Sequence, residues 1–432
     1  MKERNFLRQI KKIHFIGIGG IGISAIARMM LMQGKKVSGS DRFFSIITDE
    51  LKKLGAEIYK GHRLSNFASD TELVVYTTAV SKNNPELQKA KKLKIPSMSY
   101  PEMLGLISRD KYTIAVSGAH GKTTTTAMIA KILIDAKMDP TVIVGSLLKD
   151  CKSNLIIGKS KWFVCEACEY KKAFLNLNPK IIIITNIDND HLDYYKNLKN
   201  IQKAFSQFIS KLNKEDFLIY NKKDSNSFPV VKKAKCRVID YLKIDARPDL
   251  KIPGVHNTEN AKAALTVAKI LKIQKKKALK SLKNFSGTWR RFEYKGRTKN
   301  GIEIYDDYAH HPTEIKASLN AARENFKNNK IWCVFQPHLF SRTRLLLDDF
   351  AKSFNNADFI IVTDIYAARE KNDKKIHAKN LVKKIQKYNS NVVYISYFSS
   401  IKKFIKKNAK KGDIIITMGA GDIFKIGENL LK

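Results

Sequence analysis

Apolar residues come in short runs along this chain, and most runs lead into a turn and then a stretch with helical spacing. KKIHFIGIGGIGISAIARMMLMQGKKVSGSD predicts strand, glycine turn, helix, strand. LKKLGAEIYKG, the apolar strand LVVYTTAV and the helical PELQKAKKLKI continue the alternation. YPEMLGLISRDKY then bridges to a second segment. That segment has strands YTIAV, TVIVG, WFVCEA, IIIITNI and FLIYN, with helices between, and closes on the helix NTENAKAALTVAKIL. A third alternates strand IEIYDDY, helix PTEIKASLNAARENF, strand IWCVFQ, helix RLLLDDFAKSF, strand FIIVTDI, helix KNLVKKIQKY and strands VVYIS and DIIITMG. Strand–helix alternation of this kind predicts parallel sheets covered by helices. The expectation is an α/β protein of three domains, at residues 1–106, 107–286 and 287–432.

With 432 residues the chain exceeds one ordinary core, which agrees with that division. No apolar run is long enough to span a bilayer, and MKERNFLRQIKK lacks the apolar core of a signal peptide. Five scattered cysteines argue against a disulfide framework, so a reduced, cytoplasmic location is expected. The charge is unusual, with 80 Lys+Arg against 40 Asp+Glu. The lysines are spread along the whole chain without a zinc-finger, homeodomain or RNA-recognition pattern. A lysine-rich solvated surface on an enzyme with anionic substrates is favoured over a specific nucleic-acid partner.

The most specific motif is SGAHGKTTTT. It follows strand YTIAV and opens the helix AMIAKILIDA. A glycine turn there aims backbone N–H groups of Gly118, Ala119, His120 and Gly121 at an anion, where the helix N-terminus adds positive charge. Lys122 would reach the terminal phosphates of a nucleoside triphosphate, and the Thr123 hydroxyl would sit on Mg²⁺, with Thr124 behind it. The spacing differs from the common P-loop, because Val116 stands where a first glycine is usual.

A second glycine turn, Gly17-x-Gly19-x-x-Gly22, precedes a helix, and Asp41 ends the following strand. Alone it suits a nicotinamide cofactor or any other pyrophosphate ligand. Glu166 and Glu169 follow one apolar strand, and Asp190 and His191 another. In open α/β sheets ligands gather at the carboxyl ends of strands, so these groups should converge on the phosphate loop, where a carboxylate and an imidazole would hold Mg²⁺. Cys165-x-x-Cys168 has no second pair and does not spell a zinc site, and burial of a small apolar side chain accounts for each cysteine. His256, Asn257 and Asn260 open a helix, where they either read an adenine edge or serve as caps. Arg290-Arg291, Asp306-Asp307-Tyr308-Ala309-His310-His311-Pro312 and Ser341-Arg342-Thr343-Arg344 each adjoin an apolar strand. Arginines there could clamp a carboxylate or a γ-phosphate.

Together HFIGIGGIGIS, SGAHGKTTTT, CEACEY, TNIDNDHLDYY, PGVHNTENAKAAL, RRFE, YDDYAHHPTEI, FQPHLFSRTR, TDIYAARE and MGAGDI resemble the Mur ligase superfamily, in family order from residue 14 to 423. The closest likeness is to the branch that joins L-alanine to UDP-N-acetylmuramate. The resemblance implies three α/β domains, a Rossmann-like UDP-sugar-binding domain, a central P-loop ATPase-type domain and a Rossmann-like C-terminal amino-acid-binding domain, and ATP-dependent amide formation through an acyl phosphate. By motif position it implies Thr123, Glu166 and His191 as Mg²⁺ ligands. His256, Asn257 and Asn260 would form the nucleotide site, and Arg291 and Asp307 the third domain's contacts with ATP. Tyr308, His310 and Arg342 would lie at the amino-acid end. Gly19, Gly20, Gly22 and Ser24 would hold the UDP pyrophosphate, with Asp41 nearby. Lys122, Glu166, His191, Arg291, Asp307 and His310 are the expected catalytic set.

Some positions depart from the family pattern. Cys168 stands where many members carry an acid, the segment before IPGVHN is short, and KNDKKIHAKNL lacks an expected Pro-Gly turn. Three rival readings are a nicotinamide dehydrogenase, a nucleic-acid-dependent ATPase and a ligase of the same superfamily with another carboxylate substrate. The second phosphate loop is unexplained by the first of these.

Overall fold

The computed structural model describes residues 6–368 and 370–432. Arg369 of the TDIYAARE motif and the first residues of the N-terminal segment lie outside the described residues. Three sheets follow one another along the chain. The first has five parallel strands, in the order Glu57–Lys60, Lys36–Asp41, Lys12–Ile16, Leu73–Tyr76, Ser97–Ser99. The second has seven, in the order Arg237–Asp240, Phe217–Tyr220, Pro179–Ile184, Tyr112–Ser117, Trp162–Glu166, Thr141–Leu148, Ser153–Ile156, with only the last antiparallel. The third has six, in the order Glu293–Arg297, Glu303–Asp307, Ile414–Met418, Ile331–Phe335, Phe359–Val362, Val392–Tyr394, with the first antiparallel.

The continuous apolar runs become central strands because helices cover both faces. In Pro179–Ile184 the four isoleucines are all fully buried, two on each face of the sheet. Tyr112–Ser117 lies between this strand and Trp162–Glu166, with Ser117 level with Ile184 and Val116 level with Glu166. The chain runs outward on one side of this strand and later outward on the other. That reversal is the kind of switch point at which α/β sheets bind ligands.

The bridging segment is a helix, Tyr100–Ser108, opened by Ser99 and Glu102 as a capping box. A continuous core joins the first sheet's helices to the second sheet: Met29, Met103 and Phe174 share one cluster. The expected helix RLLLDDFAKSF is instead two short helices, Phe340–Leu345 and Leu347–Ala351, broken at Leu346 (φ −114°, ψ 24°). The break lets Arg342 point inward while Phe350 fills the core. The helix read from NTENAKAALTVAKIL starts earlier, at Val255, after Gly254 in a positive-φ conformation of 101°. Among the described residues no helix is long and apolar enough to cross a membrane.

Candidate active site

The strand Tyr112–Ser117 ends in the loop Gly118–Gly121, and the helix Lys122–Asp135 begins at once. Gly118 (φ 131°) and Gly121 (φ 83°) adopt backbone angles that side chains resist. At Gly118 a Cβ would also strike Thr185 and the backbone of Asn186. The neighbouring strand end pins the loop. Ala119 N–H donates to Asn186 O at 3.0 Å, His120 N–H to Asn186 Oδ1 at 2.9 Å, and the Thr185 hydroxyl to His120 O at 2.5 Å. Lys122 folds over its own loop, donating to the carbonyls of Gly118 and Ala119 and to Glu169 Oε1 at 3.2 Å. Burial works against its charge, but Glu169 and the other groups around it hold its pKa above the ordinary lysine value.

Beside Lys122 the predicted acids and imidazole do converge. Ligand atoms of Glu169, Asp190 and His191 lie within 4.8 Å of one another. Glu169 is 3% exposed, and His191 Nε2 stands 3.5 Å from its Oε1. Burial raises the Glu169 carboxyl, yet Lys122 and His191 outweigh it and keep the pKa below the usual carboxylate range. Glu169 Oε2 and His191 Nδ1 are buried without a hydrogen-bond partner. Glu166 accepts from Gly145 N–H at 2.5 Å and faces the same cavity. Sequence reasoning placed Glu169 at this strand end without giving it a role; its burial and orphaned oxygen are visible only in three dimensions. Cys165 is buried as expected, but Cys168 is exposed and lines the cavity. The strand ends at Glu166, so Cys168 falls in the turn after it.

Two adjoining cavities meet at Gly121, Arg291 and Glu314. One, of about 310 Å³, carries Gly22 and Tyr100 on one wall, Lys122, Thr123, Glu166 and His191 on another, and Tyr308 and His310 on a third. The Gly22 end of the first glycine turn and Ala119 and Gly121 of the second therefore face one space, while Gly19, Gly20 and Asp41 lie outside its lining. Gly22 packs against the Tyr100 ring, and Gly19 N–H donates to Asp41 Oδ2 at 2.8 Å. Ser24 does not reach this space. It is fully buried one turn into its helix, donates to Ile21 O at 2.9 Å and meets Asn154 Nδ2 at 3.0 Å, so it ties the first sheet's helix to the second sheet.

The other cavity, of about 410 Å³, is lined by Thr124, Asn186, Asn221, His256, Asn257, Asn260 and Asp307. Asn257 donates to Pro253 O at 2.6 Å, and Asn260 Oδ1 accepts from Thr125 at 3.1 Å, so both amides brace the helix start against the loop. Burial and the nearby Arg291 lower the His256 pKa to about 4, keeping the ring neutral. Arg291 lies over the Tyr308 ring at 5.3 Å and 3.7 Å from Glu314.

Asp307 accepts from Ser318 Oγ at 2.7 Å and Ala309 N–H at 2.9 Å. Burial nevertheless raises its pKa from 3.8 to about 6. The folded protein thus holds this proton to higher pH than the unfolded chain. The ionised group costs stability above pH 6, and the cost disappears as pH falls below 4. Asp307→Asn should therefore raise stability at pH 8 by about 1–3 kcal/mol and leave it little changed at pH 4, while weakening catalysis. Thermal unfolding of both proteins across that pH range checks it.

Arg342 is 8% exposed and does not line either of these two cavities. It donates to Asp190 Oδ1 at 2.8 Å and meets His338 Nδ1 at 3.1 Å. As placed, its guanidinium joins the third sheet's loops to the second sheet's strand end, and does not face an open substrate site. His310 does line the cavity that holds Lys122, Glu166 and His191. Burial lowers its pKa to about 4, and its Nδ1 lies 2.9 Å from Tyr308 O. Glu314, unremarked in the sequence reading, gathers His120 Nδ1 at 3.4 Å, His310 Nδ1 at 3.3 Å and Arg291. Its place at the first turn of the helix Pro312–Asn325, after His310-His311-Pro312, is the signal that could have found it.

Family models match in the same order along the chain: "Mur ligase family, catalytic domain" at residues 12–112, "Mur ligase middle domain" at 116–247 and "Mur ligase, glutamate ligase domain" at 290–421. The chain belongs to the Mur ligase family. A UDP-N-acetylmuramate–L-alanine ligase of Clostridium tetani is 45% identical over 99% of this chain and 99% of its own length. One of Clostridium acetobutylicum is 46% identical over 98% of each. The crystal structure of the UDP-N-acetylmuramate-alanine ligase of Thermotoga maritima superimposes with a TM-score of 0.82 at 29% identity, covering 97% of this chain and 98% of that one. As a Mur ligase this chain uses ATP, and its three-sheet α/β architecture is that of the family.

Proposed function

We propose that this Mur ligase joins L-alanine to the lactyl carboxylate of UDP-N-acetylmuramate, converting ATP to ADP and phosphate, as a cytoplasmic step in peptidoglycan precursor synthesis. The observation that carries the reading is the facing of the Gly22 end of the first glycine turn and the phosphate loop across one cavity, in a chain 45% identical to a ligase of that name over 99% of both lengths. The division into bodies at 1–106, 107–286 and 287–432 fits the three successive sheets.

In this reading Gly19, Gly20, Gly22 and Asp41 hold the UDP pyrophosphate end. Gly118 to Thr124 cradle the ATP phosphates, while His256, Asn257 and Asn260 border the nucleoside. The substrate carboxylate attacks the γ-phosphorus, an acyl phosphate forms and ADP leaves. The alanine amine then adds to the acyl carbon. The tetrahedral intermediate loses phosphate and a proton to give the amide. Lys122 moves from its loop carbonyls to the phosphoryl oxygens. Arg291 and Asp307 bring the third sheet's edge against the nucleotide. Tyr308 and His310 border the amine end, and Arg342 supports it through Asp190. The work of these residues is positioning and charge neutralisation.

The donor set beside Lys122 fits a divalent cation: hydroxyl, carboxylates and one imidazole, with one carboxylate oxygen and one ring nitrogen buried and unpartnered. Thr123, Glu166 and His191, with Glu169 adjoining, would hold Mg²⁺. The ion supplies neutralisation of charge on the transferring phosphoryl group. Glu166→Gln and His191→Ala should each raise the Mg²⁺ concentration needed for half-maximal rate by about tenfold or more, as one lost charge-assisted contact implies. Titration of rate against Mg²⁺ reads this, and unchanged curves in both variants would leave these residues a structural role only.

The functional test is phosphate release from ATP as each substrate is added. Release should require UDP-N-acetylmuramate and L-alanine together, and DNA or NAD should have no effect. Release with another carboxylate substrate alone would reassign the chain within the family.

A further inference from the structure

We propose that His120, Asp188 and His311 form a binding site for Zn²⁺ or a similar borderline transition metal, spanning the middle and C-terminal sheets and separate from the Mg²⁺ ligands. His120 Nε2 lies 2.9 Å from Asp188 Oδ2, and His311 Nδ1 lies 3.8 Å from the same oxygen. All three ligand atoms fall within 4.8 Å of one another. Atoms bound about 2.0–2.1 Å from a tetrahedral ion stand about 3.3–3.4 Å apart, between the two separations to Asp188 Oδ2, so small shifts of the rings would complete the geometry.

The groups behind these ligands supply an independent argument. A metal-bound histidine almost always donates its other ring N–H to an oxygen, which orients the ring. Both rings have such an oxygen: His311 Nε2 lies 3.2 Å from Asn189 O, and His120 Nδ1 lies 3.4 Å from Glu314 Oε1. His120 Nδ1 is buried with no hydrogen bond closer than that ion pair. Thr313 Oγ1 donates to Asp188 Oδ2 at 2.7 Å and steadies the carboxylate. A metal would replace two contacts: the hydrogen bond between His120 Nε2 and Asp188 Oδ2 at 2.9 Å, whose proton leaves as the ion binds, and that of Thr313 N–H to His311 Nδ1 at 3.3 Å.

Two imidazoles and one carboxylate select zinc-like ions over Mg²⁺, which prefers oxygen. His120 and Asp188 also line the nucleotide cavity, so the fourth position opens toward the phosphates of ATP. His120 and Asp188 come from the phosphate loop and its neighbouring strand end, and His311 caps the helix Pro312–Asn325. An ion here staples the two sheets together beside the nucleotide. Zinc at this site therefore inhibits turnover by hindering nucleotide exchange.

The test titrates metal-stripped full-length protein with Zn²⁺ by calorimetry, and with Co²⁺ as a visible probe, both at saturating Mg²⁺. One ion per chain should bind in the micromolar range or tighter, with a four-coordinate cobalt spectrum and no thiolate-to-cobalt band. Glu314→Gln should weaken Zn²⁺ binding about 10–100-fold, as loss of an orienting partner does, and His311→Gln by more. His191→Gln should leave the affinity unchanged. Inhibition of ligation by Zn²⁺ should shift in parallel with binding. Absence of saturable binding, displacement by Mg²⁺, a thiolate band, or loss of binding in His191→Gln would each overturn the site. If His311→Gln fails to fold, the wild-type cobalt spectrum and the Mg²⁺ competition decide alone.

Discussion

Lys122→Ala is expected to remain folded and to lose ligation by about 10³-fold or more, the scale on which a positioned cation contributes to phosphoryl transfer. Its amine contacts two carbonyls of its own loop and Glu169, so it already stands over the loop proposed to cradle the phosphates. The fold should tolerate the loss. The loop is held separately by Thr185 and Asn186, and Glu169 keeps His191 as a partner. The rate loss should appear in kcat, because the lysine neutralises charge that grows toward the transition state. Thermal unfolding and ADP release, measured on the same preparation, separate the two effects. Near-normal turnover by a folded variant would remove Lys122 from the mechanism.

Where one strand-to-helix transition carries a whole feature, the sequence reveals it. The phosphate loop is legible because an apolar strand, two glycines at positive φ and a helix start are contiguous, and each is a local constraint. Glu166 and His191 are legible for the same reason, since the strands that deliver them are continuous apolar runs. Edge elements were harder to see. The antiparallel strand Glu293–Arg297 is EYKGR, largely polar and exposed on one side, and it is specified by pairing with Glu303–Asp307. The helix predicted through RLLLDDFAKSF breaks at Leu346 because tertiary packing draws Arg342 and Phe350 in different directions.

Within the site, the residues that needed the structure act across sheets. Ser24 reads as part of a glycine-rich turn, yet the helix geometry rotates its hydroxyl toward Asn154, 130 residues away. Glu314 and Asp188 lie within recognisable motifs, but nothing local marks them out from the other acids there, and their importance lies in what they face: His120, His310, Arg291 and His311. Sequence spacing holds no record of which side chains two separate sheets bring together. Periodicity found the walls of both cavities, while the contacts that close one wall onto another came from tertiary structure alone.

Arg342→Ala is expected to impair closure of the C-terminal sheet onto the middle one, and so to depress kcat. The expectation from family position was that this arginine reads the alanine carboxylate. Its guanidinium instead donates to Asp190, with the two side chains only 7% and 10% exposed. Burial raises the Asp190 carboxyl, but His191 and Arg342 outweigh it and hold the pKa well below the ordinary value. Removing one partner of such a buried pair typically costs about 3–5 kcal/mol, because the remaining charge is stranded. Asp190 keeps His191 N–H at 2.7 Å, so the lower end of that range applies. If the loss falls on closure, kcat should drop by about 10²-fold and the KM for ATP should rise as well. Arg342→Lys, which keeps charge but not the two-pronged geometry, should be milder. Arg344 offers the control: it is more exposed and lies 3.5 Å from Asp373, so Arg344→Ala should change neither constant appreciably. Steady-state kinetics with ATP and L-alanine varied in turn decide between strut and substrate contact. A rise confined to the KM for alanine in Arg342→Lys would return the residue to the amino-acid site. A joint loss of kcat and ATP affinity would fix it as the strut that places Asp190 and His191 beside the phosphates.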